Sequence, residues 1–140
     1  MMSGIRDTDH EAAVRDALSS YEAALNASST AAVLPLYTDD GVLMAPNNQS
    51  AVGMTAVRNA YDAVFKAITL EVKFTIAELV VMSPNWAFVR TNSAGTQKIN
   101  AGGATSAEAN QELFIFKKED DGKWRIARYS FSTTTPPSSP

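Results

Sequence analysis

The feature that most constrains how this chain can fold is a change in its hydrophobic period near residue 70. Before that point, apolar side chains recur every three to four residues over residues 8–25 and 54–68, which predicts two amphipathic helices. After it, apolar and polar side chains alternate, which predicts half-buried strands. Helices followed by consecutive antiparallel strands indicate an α+β fold, in which a curved sheet wraps around the helices and leaves a cone-shaped interior.

Turn signals and breaks in the periodicity set the boundaries of the other elements. Residues 30–37 are predicted to form a short helix, and Asp39–Gly41 a turn before a short strand at residues 42–44. Asp121–Gly122 is typical of a tight hairpin turn and should join the last two strands. Four long strands are expected, at residues 70–82, 86–97, 106–118 and 123–132.

The length of the chain fits one compact domain. Its 140 residues are enough to bury a core without help from a metal or a disulfide. We expect an N-terminal segment at residues 1–8, the domain at residues 9–133, and a disordered tail of Thr, Ser and Pro at residues 134–140.

The composition excludes several classes of function. The chain has no cysteine, which excludes disulfide scaffolds, thiolate metal sites and cysteine nucleophiles. A net charge of −3 and the lack of Lys/Arg runs argue against binding to nucleic acid or to an anionic membrane. No stretch approaches the roughly 20 apolar residues of a membrane span, and residues 1–10 lack the apolar core of a signal peptide. We therefore expect a cytoplasmic protein.

Strand alternation sorts the side chains of the predicted sheet into two faces. We assign the positions that combine large aromatic and polar side chains to the concave face, against the helices. In the last three strands these positions are Trp86, Phe88, Arg90 and Asn92, then Asn110, Glu112, Phe114 and Phe116, and finally Trp124, Ile126, Arg128, Ser130 and Ser132. The opposite positions are mostly apolar and form the outer face, where Leu113, Ile115, Tyr129 and Phe131 would make an exposed patch. Such a patch predicts a homodimer through the sheet.

Under this assignment Arg90, Glu112 and Arg128 share one enclosed space. A buried charge must be paired, and an Arg–carboxylate–Arg cluster achieves this through forked hydrogen bonds. The cluster can be a structural ionic network, or it can anchor a pocket in which an arginine binds a ligand carboxylate or carbonyl. The two roles are compatible, and both stay open at this point.

Several segments resemble the ketosteroid isomerase and nuclear transport factor 2-like superfamily. The run Tyr21–Ala27, followed by Leu36–Val42, is similar to the superfamily as a whole. Gly53 before an amphipathic helix, and the ending Gly122–Tyr129, resemble its SnoaL-like branch, in particular the small bacterial SgcJ/EcaC-type proteins. The resemblance covers about residues 9–133. It implies a cone-shaped α+β barrel, usually dimeric, with a pocket between helices and sheet.

Comparison with ketosteroid isomerase gives two candidate catalytic residues. That enzyme combines an aspartate base with an oxyanion hole made of a tyrosine and a protonated acid. The resemblance matches its tyrosine to Tyr21 and its acid to Glu112. Its base precedes a proline, where this chain has Ala45 before Pro46, and the neighbouring Met44 is apolar and cannot replace it. We therefore expect no steroid isomerisation by that mechanism.

Other catalytic and metal sites find little support in the sequence. The single histidine, His10, lies at the start of the first helix, where we expect it to be a capping or solvated residue. Glu112 is the sole acid that we assign to the polar face of the sheet. No His, Asp and Glu cluster has the spacing of metal ligands, so we expect neither a metal nor another cofactor.

Three functions remain open. The first is a small-molecule-binding protein, the second an enzyme that enolises a cyclic ketone or polyketide-like substrate, and the third an association module whose function is oligomerisation. Aromatic side chains at helical or strand spacing are usually core residues, although their polar tips can also orient a ligand. The residues expected to bind a ligand are Tyr21, Tyr37, Met44, Tyr61, Trp86, Arg90, Asn110, Glu112, Phe114 and Arg128.

Overall fold

The computed structural model describes residues 7–135. Most of the predicted N-terminal segment (1–8) and of the predicted disordered tail (134–140) therefore lies outside the described residues. The three helices are α1 (Asp7–Asn26), α2 (Thr30–Val33) and α3 (Met54–Ala67). The six strands are β1 (Tyr37–Met44), β2 (Ala51–Val52), β3 (Ile68–Ser83), β4 (Trp86–Ile99), β5 (Thr105–Lys118) and β6 (Trp124–Thr133).

The strands form one curved, unclosed sheet in the order β2-β1-β6-β5-β4-β3. Neighbouring strands are antiparallel except for the pair β1 and β6, which is parallel. The predicted α+β class, with helices held against a curved sheet, is confirmed.

The predicted short helix at residues 30–37 and the predicted turn at Asp39–Gly41 both extend into a region that the structure shows as strand β1. After α2 the chain makes a single 3₁₀ turn at Leu34–Leu36, since Pro35 has no N–H with which to continue an α-helix. Strand β1 begins directly afterwards, at Tyr37, and includes the predicted turn at Asp39–Gly41. The turn residues are instead an irregularity in the pairing of β1 with β6, between Tyr37 and Val42.

The predicted concave face of β4 is wrong. The buried side chains of this strand are those of Ala87, Val89, Thr91 and Ser93, and the predicted set that includes Trp86, Arg90 and Asn92 points to the outer face. The concave side of a curved sheet has less room than the convex side. Strand β4 therefore places its small side chains inside and its large ones outside.

A β-bulge at Ala127 overturns the predicted faces in the second half of β6. Phe116 pairs with Ile126, but Ile115 pairs with Arg128, so that Ala127 is an extra residue in β6. Trp124 and Ile126 are buried as predicted. Beyond the bulge the alternation is reversed, which turns Arg128, Ser130 and Ser132 outward and Tyr129 and Phe131 inward.

Helix α1 presents one face to the sheet, and that face includes the histidine. Val14, Leu18, Tyr21 and Leu25 are buried at helical spacing, as predicted. His10 is buried as well, with its ring edge-on to Trp124 at 5.5 Å between centroids, so the expected solvated or capping role is wrong. Among the helices of residues 7–135, none is both long and apolar enough to cross a membrane.

Two side chains of α1 hold the edge strand β3. Asn26 Nδ2 donates a hydrogen bond to the Val72 carbonyl at 2.8 Å, and Asn26 Oδ1 accepts one from the Val72 N–H at 2.9 Å. Glu22 Oε1 accepts a further bond from the Phe74 N–H at 2.7 Å. A sheet edge leaves unpaired backbone groups, and these bonds satisfy three of them while fixing the helix on the sheet.

Replacement of Asn26 by Ala should destabilise the fold. The variant leaves both backbone groups of Val72 without their partner, which should lower the free energy of unfolding by about 1–3 kcal/mol. Urea denaturation followed by circular dichroism measures this change. Asn92→Ala is the matched control, because Asn92 is exposed on the outer face. An equal loss in both variants would contradict the assigned role of Asn26.

Candidate ligand pocket

A cavity of about 160 Å³ lies between helices α1 and α3 and the concave face of the sheet. Most of its wall is apolar, and the same cavity is lined by a few polar groups. The apolar wall includes Leu25, Leu43, Leu70, Val72, Phe74 and Phe131. The polar groups belong to Tyr21, Tyr61, Ser93, Glu108, Asn110, Glu112 and Tyr129. A mainly apolar cavity with a few convergent polar groups is the usual form of a small-molecule site.

The Glu112 carboxylate lies at the polar wall of this cavity and is only 4% exposed. Thr91 Oγ1 donates a hydrogen bond to Glu112 Oε1 at 2.6 Å, and Ser93 Oγ donates one to Oε2 at 2.5 Å. Burial raises the pKa of Glu112, the two hydroxyls lower it in part, and the nearby Glu108 charge raises it further. The net effect is a raised pKa, which favours the protonated form relative to an exposed glutamate.

Three tyrosine hydroxyls form a hydrogen-bonded chain that ends at the cavity. The Tyr61 hydroxyl lies 2.7 Å from the Tyr21 hydroxyl and 2.7 Å from the Tyr37 hydroxyl. Burial raises the pKa of all three, so they stay neutral. Two hydrogen bonds join the three hydroxyl groups, so one of the three O–H groups does not donate within the chain. When Tyr37 donates to Tyr61 and Tyr61 to Tyr21, the free O–H belongs to Tyr21, which lines the cavity.

Gly41 makes room for the third tyrosine of this chain. A Cβ at position 41 would lie 2.8 Å from Cδ2 of the Tyr37 ring and 3.0 Å from the Thr38 carbonyl oxygen. Any larger residue would therefore push the Tyr37 ring away from Tyr61. The irregular start of β1 thus positions the far end of the hydrogen-bonded chain.

Four of the ten predicted pocket residues line the cavity: Tyr21, Tyr61, Asn110 and Glu112. Two others lie directly behind it. Tyr37 bonds to Tyr61 as described, and Phe114 is fully buried with its ring stacked on Tyr129 at 4.1 Å between centroids. These aromatic rings fill the interior beside the cavity.

The other four predicted pocket residues do not line the cavity. Met44 and Trp86 are each 40% exposed, and the ammonium of Lys117 lies 5.7 Å from the Trp86 ring on the outer face. Arg90 pairs with Glu78 on that face at 3.0 Å. Arg128 donates to the carbonyls of Asp40 and Ala127.

The predicted Arg90–Glu112–Arg128 cluster is therefore wrong. Because β4 presents its other face and β6 carries a bulge, both arginines point away from the carboxylate. Two neutral hydroxyls take the place that the prediction gave to two cations. The cause that would have kept Glu112 ionised is thus removed.

The sequence interpretation missed Glu108, Thr91 and Ser93. Alternation on β5 places Glu108, Asn110 and Glu112 on one face, so Glu108 could have been found by extending that face toward the start of the strand. Thr91 pairs with Glu112 and Ser93 with Asn110 across the sheet. The prediction gives the other face of β4 to the interior and therefore places both hydroxyls outside. Ala45, at the position that the resemblance gives to the catalytic base, does line the cavity.

Glu112→Gln should change the pH dependence of stability. The raised pKa means that the folded state binds the proton more tightly than the unfolded chain, so the wild-type free energy of unfolding falls as pH rises above about 4.5. Gln keeps both hydroxyl contacts, since a hydroxyl can accept as well as donate, and does not titrate. The stability of the variant relative to the wild type should therefore rise with pH.

Urea denaturation between pH 4 and pH 8 measures this difference. Glu71→Gln is the control, because Glu71 is exposed at the outer side of β3. A constant offset between wild type and Glu112→Gln over the whole range would contradict the assigned environment of the carboxyl group.

The chain is similar to proteins of known family and structure. A profile described as the SnoaL-like domain matches residues 18–129. The structure is similar to that of a ketosteroid isomerase-like protein from Erwinia carotovora atroseptica SCRI1043, with a TM-score of 0.86 and 38% identity over 89% of this chain and 96% of that one. No curated protein matches the chain in sequence.

Two more distant structures share the fold. One is a putative scytalone dehydratase from Novosphingobium aromaticivorans DSM 12444, with a TM-score of 0.81 and 16% identity over 92% of this chain and 87% of that one. The other is a putative calcium/calmodulin dependent protein kinase II association domain from Xanthomonas campestris, with a TM-score of 0.73 and 22% identity over 94% and 89%.

Proposed function

Because this chain belongs to the SnoaL-like domain family, we propose that it binds a small, mainly apolar molecule through a carbonyl oxygen. The observation that carries the proposal is that the Tyr21 hydroxyl and the Glu112 carboxyl line one apolar cavity. Burial raises the pKa of both groups, which favours their neutral, hydrogen-bond-donating forms. A carbonyl oxygen has two lone pairs and accepts from both.

The electrostatics of the cavity favour a neutral ligand over an anionic one. Arg90 and Arg128 lie on the outer face, so neither guanidinium is available in the cavity to pair with a ligand carboxylate. Within residues 7–135, the acidic side chains that line the cavity are those of Glu108 and Glu112, and no Lys, Arg or His side chain lines it. An anion would find no cationic partner in this apolar cavity and would be costly to bury there, whereas a carbonyl compound carries no net charge.

The size of the cavity limits the ligand to about one ring. An apolar cavity of roughly 150 Å³ holds a benzene molecule, and typical sites for drug-sized ligands begin at about 300 Å³. The present volume of about 160 Å³ is at the small end. Cyclohexanone is therefore a suitable probe, since it combines a single apolar ring with one carbonyl oxygen.

Tyr21→Phe should weaken the binding of cyclohexanone. The variant keeps the ring that packs against Phe74 and Phe114 and removes only the hydroxyl that donates to the carbonyl. Loss of one hydrogen bond of about 1 kcal/mol corresponds to a roughly fivefold rise in Kd. Titration followed by ¹H–¹⁵N chemical shifts measures Kd in each protein.

Tyr37→Phe is the matched control. It also removes a tyrosine hydroxyl, but Tyr37 lies at the other end of the hydrogen-bonded chain and does not line the cavity. We expect a smaller change in Kd there. Equal weakening by both variants, or cyclohexanone-induced shifts confined to residues outside the cavity, would refute the proposed binding mode.

A second candidate function is self-association through the outer sheet face. Leu113 is 43% and Val80 38% exposed, and cross-strand pairing places Val80, Phe88 and Ile115 side by side on that face. An apolar strip of this kind favours a homodimer. Of the four residues first proposed for the interface, Leu113 and Ile115 remain, whereas Tyr129 and Phe131 face the cavity.

Leu113→Glu should produce monomers if this face forms the dimer. A charge at an exposed position leaves the folded monomer intact and is costly inside an apolar interface. Light scattering after size exclusion measures the mass. Gln111→Glu, on the same face of β5 outside the apolar strip, is the control. An unchanged dimer in Leu113→Glu would refute this interface.

A further inference from the structure

Strand β5 carries two carboxylates on its concave face, and both line the cavity. Glu108 and Glu112 are separated by four residues, so that their Cα atoms lie about 13 Å apart along the strand. Asn110 lies between them on the same face. The two groups differ in environment: Glu112 is buried, whereas Glu108 is half-buried at the point where the exposed start of β5 enters the domain.

Asn110 fixes the Glu108 side chain at the cavity wall. Its Nδ2 donates a hydrogen bond to Glu108 Oε1 at 2.8 Å. Within residues 7–135 no hydrogen bond engages the other oxygen, Oε2. One carboxylate oxygen is therefore held by an amide, while the second remains available to accept a proton from a molecule in the cavity.

Among residues 7–135, no other group that lines the cavity suits the role of a base. Ala45 contributes only a methyl group to the cavity wall, and the tyrosine hydroxyls are held neutral by burial. Ser93 donates its hydrogen bond to Glu112, the group assigned here as an acid, and within residues 7–135 no other side chain accepts that bond. Of the groups that line the cavity, Glu108 is thus the one whose unengaged carboxylate oxygen is placed to accept a proton.

We propose that Glu108 is the general base of an enolisation reaction in this cavity, with Glu112 and Tyr21 as hydrogen-bond donors to the substrate oxygen. The inference rests on the proposed carbonyl-binding function and assigns its chemistry. The bound molecule lies between the two side chains, with its oxygen toward Glu112 and its α-carbon toward Glu108. Two carboxyl groups in unlike environments can divide the roles of acid and base in this way.

The step balances without a further reactant. Glu108 Oε2 takes a proton from the α-carbon, the C–H bonding pair becomes the C=C bond of the enolate, and the carbonyl π pair moves onto the oxygen. That oxygen accepts the hydrogen bonds of Tyr21 and Glu112, which strengthen as negative charge develops. The proton then returns from Glu108 to the same carbon, or to a conjugated one, so that the net reaction is exchange or isomerisation.

Hydrogen–deuterium exchange at the α-carbons of cyclohexanone tests the proposal. In D₂O buffer, ¹H NMR should show exchange catalysed by the wild-type protein above the rate in buffer alone. Glu108→Gln should lower the catalysed rate by about 10²–10⁴-fold, the usual contribution of a general base. Its Kd for cyclohexanone should change little, since the amide preserves the shape of the side chain.

Glu108→Ala with added formate gives a second readout, because formate can enter the vacated space and replace the missing carboxylate. We expect formate to raise the exchange rate of Glu108→Ala and to leave that of Glu112→Ala unchanged. Glu78→Gln, which removes a carboxylate on the outer face, is the matched control and should exchange at the wild-type rate.

The outcomes separate the two proposals. If the wild type binds cyclohexanone but exchanges it no faster than buffer, or if Glu108→Gln exchanges at the wild-type rate, the role of Glu108 is refuted and the binding function stands. If the wild type does not bind cyclohexanone in the cavity, both proposals fail. Binding together with exchange that depends on Glu108 supports both.

Discussion

The contact between the buried Glu112 carboxyl and the hydroxyls of Thr91 and Ser93 is the interaction on which the site depends. A carboxylate removed from water costs several kcal/mol unless other donors replace the solvent, and here two hydroxyls of the neighbouring strand do so. Both reach it because pairing places Thr91 opposite Glu112. A slip of one residue would turn these hydroxyls to the outer face and leave the acid unpaired, so that register and site are fixed together.

The same sheet face explains why a cavity exists beside this acid. The stacked rings of Phe114 and Tyr129, 4.1 Å apart, and the edge-on ring of Tyr21 fill the interior on one side. On the concave face, strand β4 contributes only small side chains, which leave space above Thr91 and Ser93. The bulge at Ala127 turns Tyr129 into this layer. The aromatic rings fill one side of the interior and the small side chains of β4 leave the other side open. The remaining volume suits one ring, and its polar wall lies on β5.

Much of this could be predicted from the sequence, but the sheet faces could not. Helical and alternating periods predicted the helices, the long strands and the α+β class, and family resemblance brought Tyr21 and Glu112 together. Alternation alone cannot say which face of β4 is concave, because both faces are partly apolar and the inner one is recognised by its small size. The bulge at Ala127 arises from pairing with β5, and no residue of β6 marks it. Arg128 was therefore assigned to the interior.

The displacement of the arginines changes the chemistry that the cavity can perform. With two guanidinium groups beside it, Glu112 would be an ionised acceptor and could not donate to a ligand oxygen. In the structure, burial raises the pKa of the carboxyl more than its hydroxyl partners lower it, which favours the protonated form that can donate to a ligand. An oxygen held by two donors stabilises a developing enolate, and such a site then needs a base within reach of the α-carbon. The methyl of Ala45 cannot provide one, so the chemistry of this cavity depends on whether Glu108 on the sheet can.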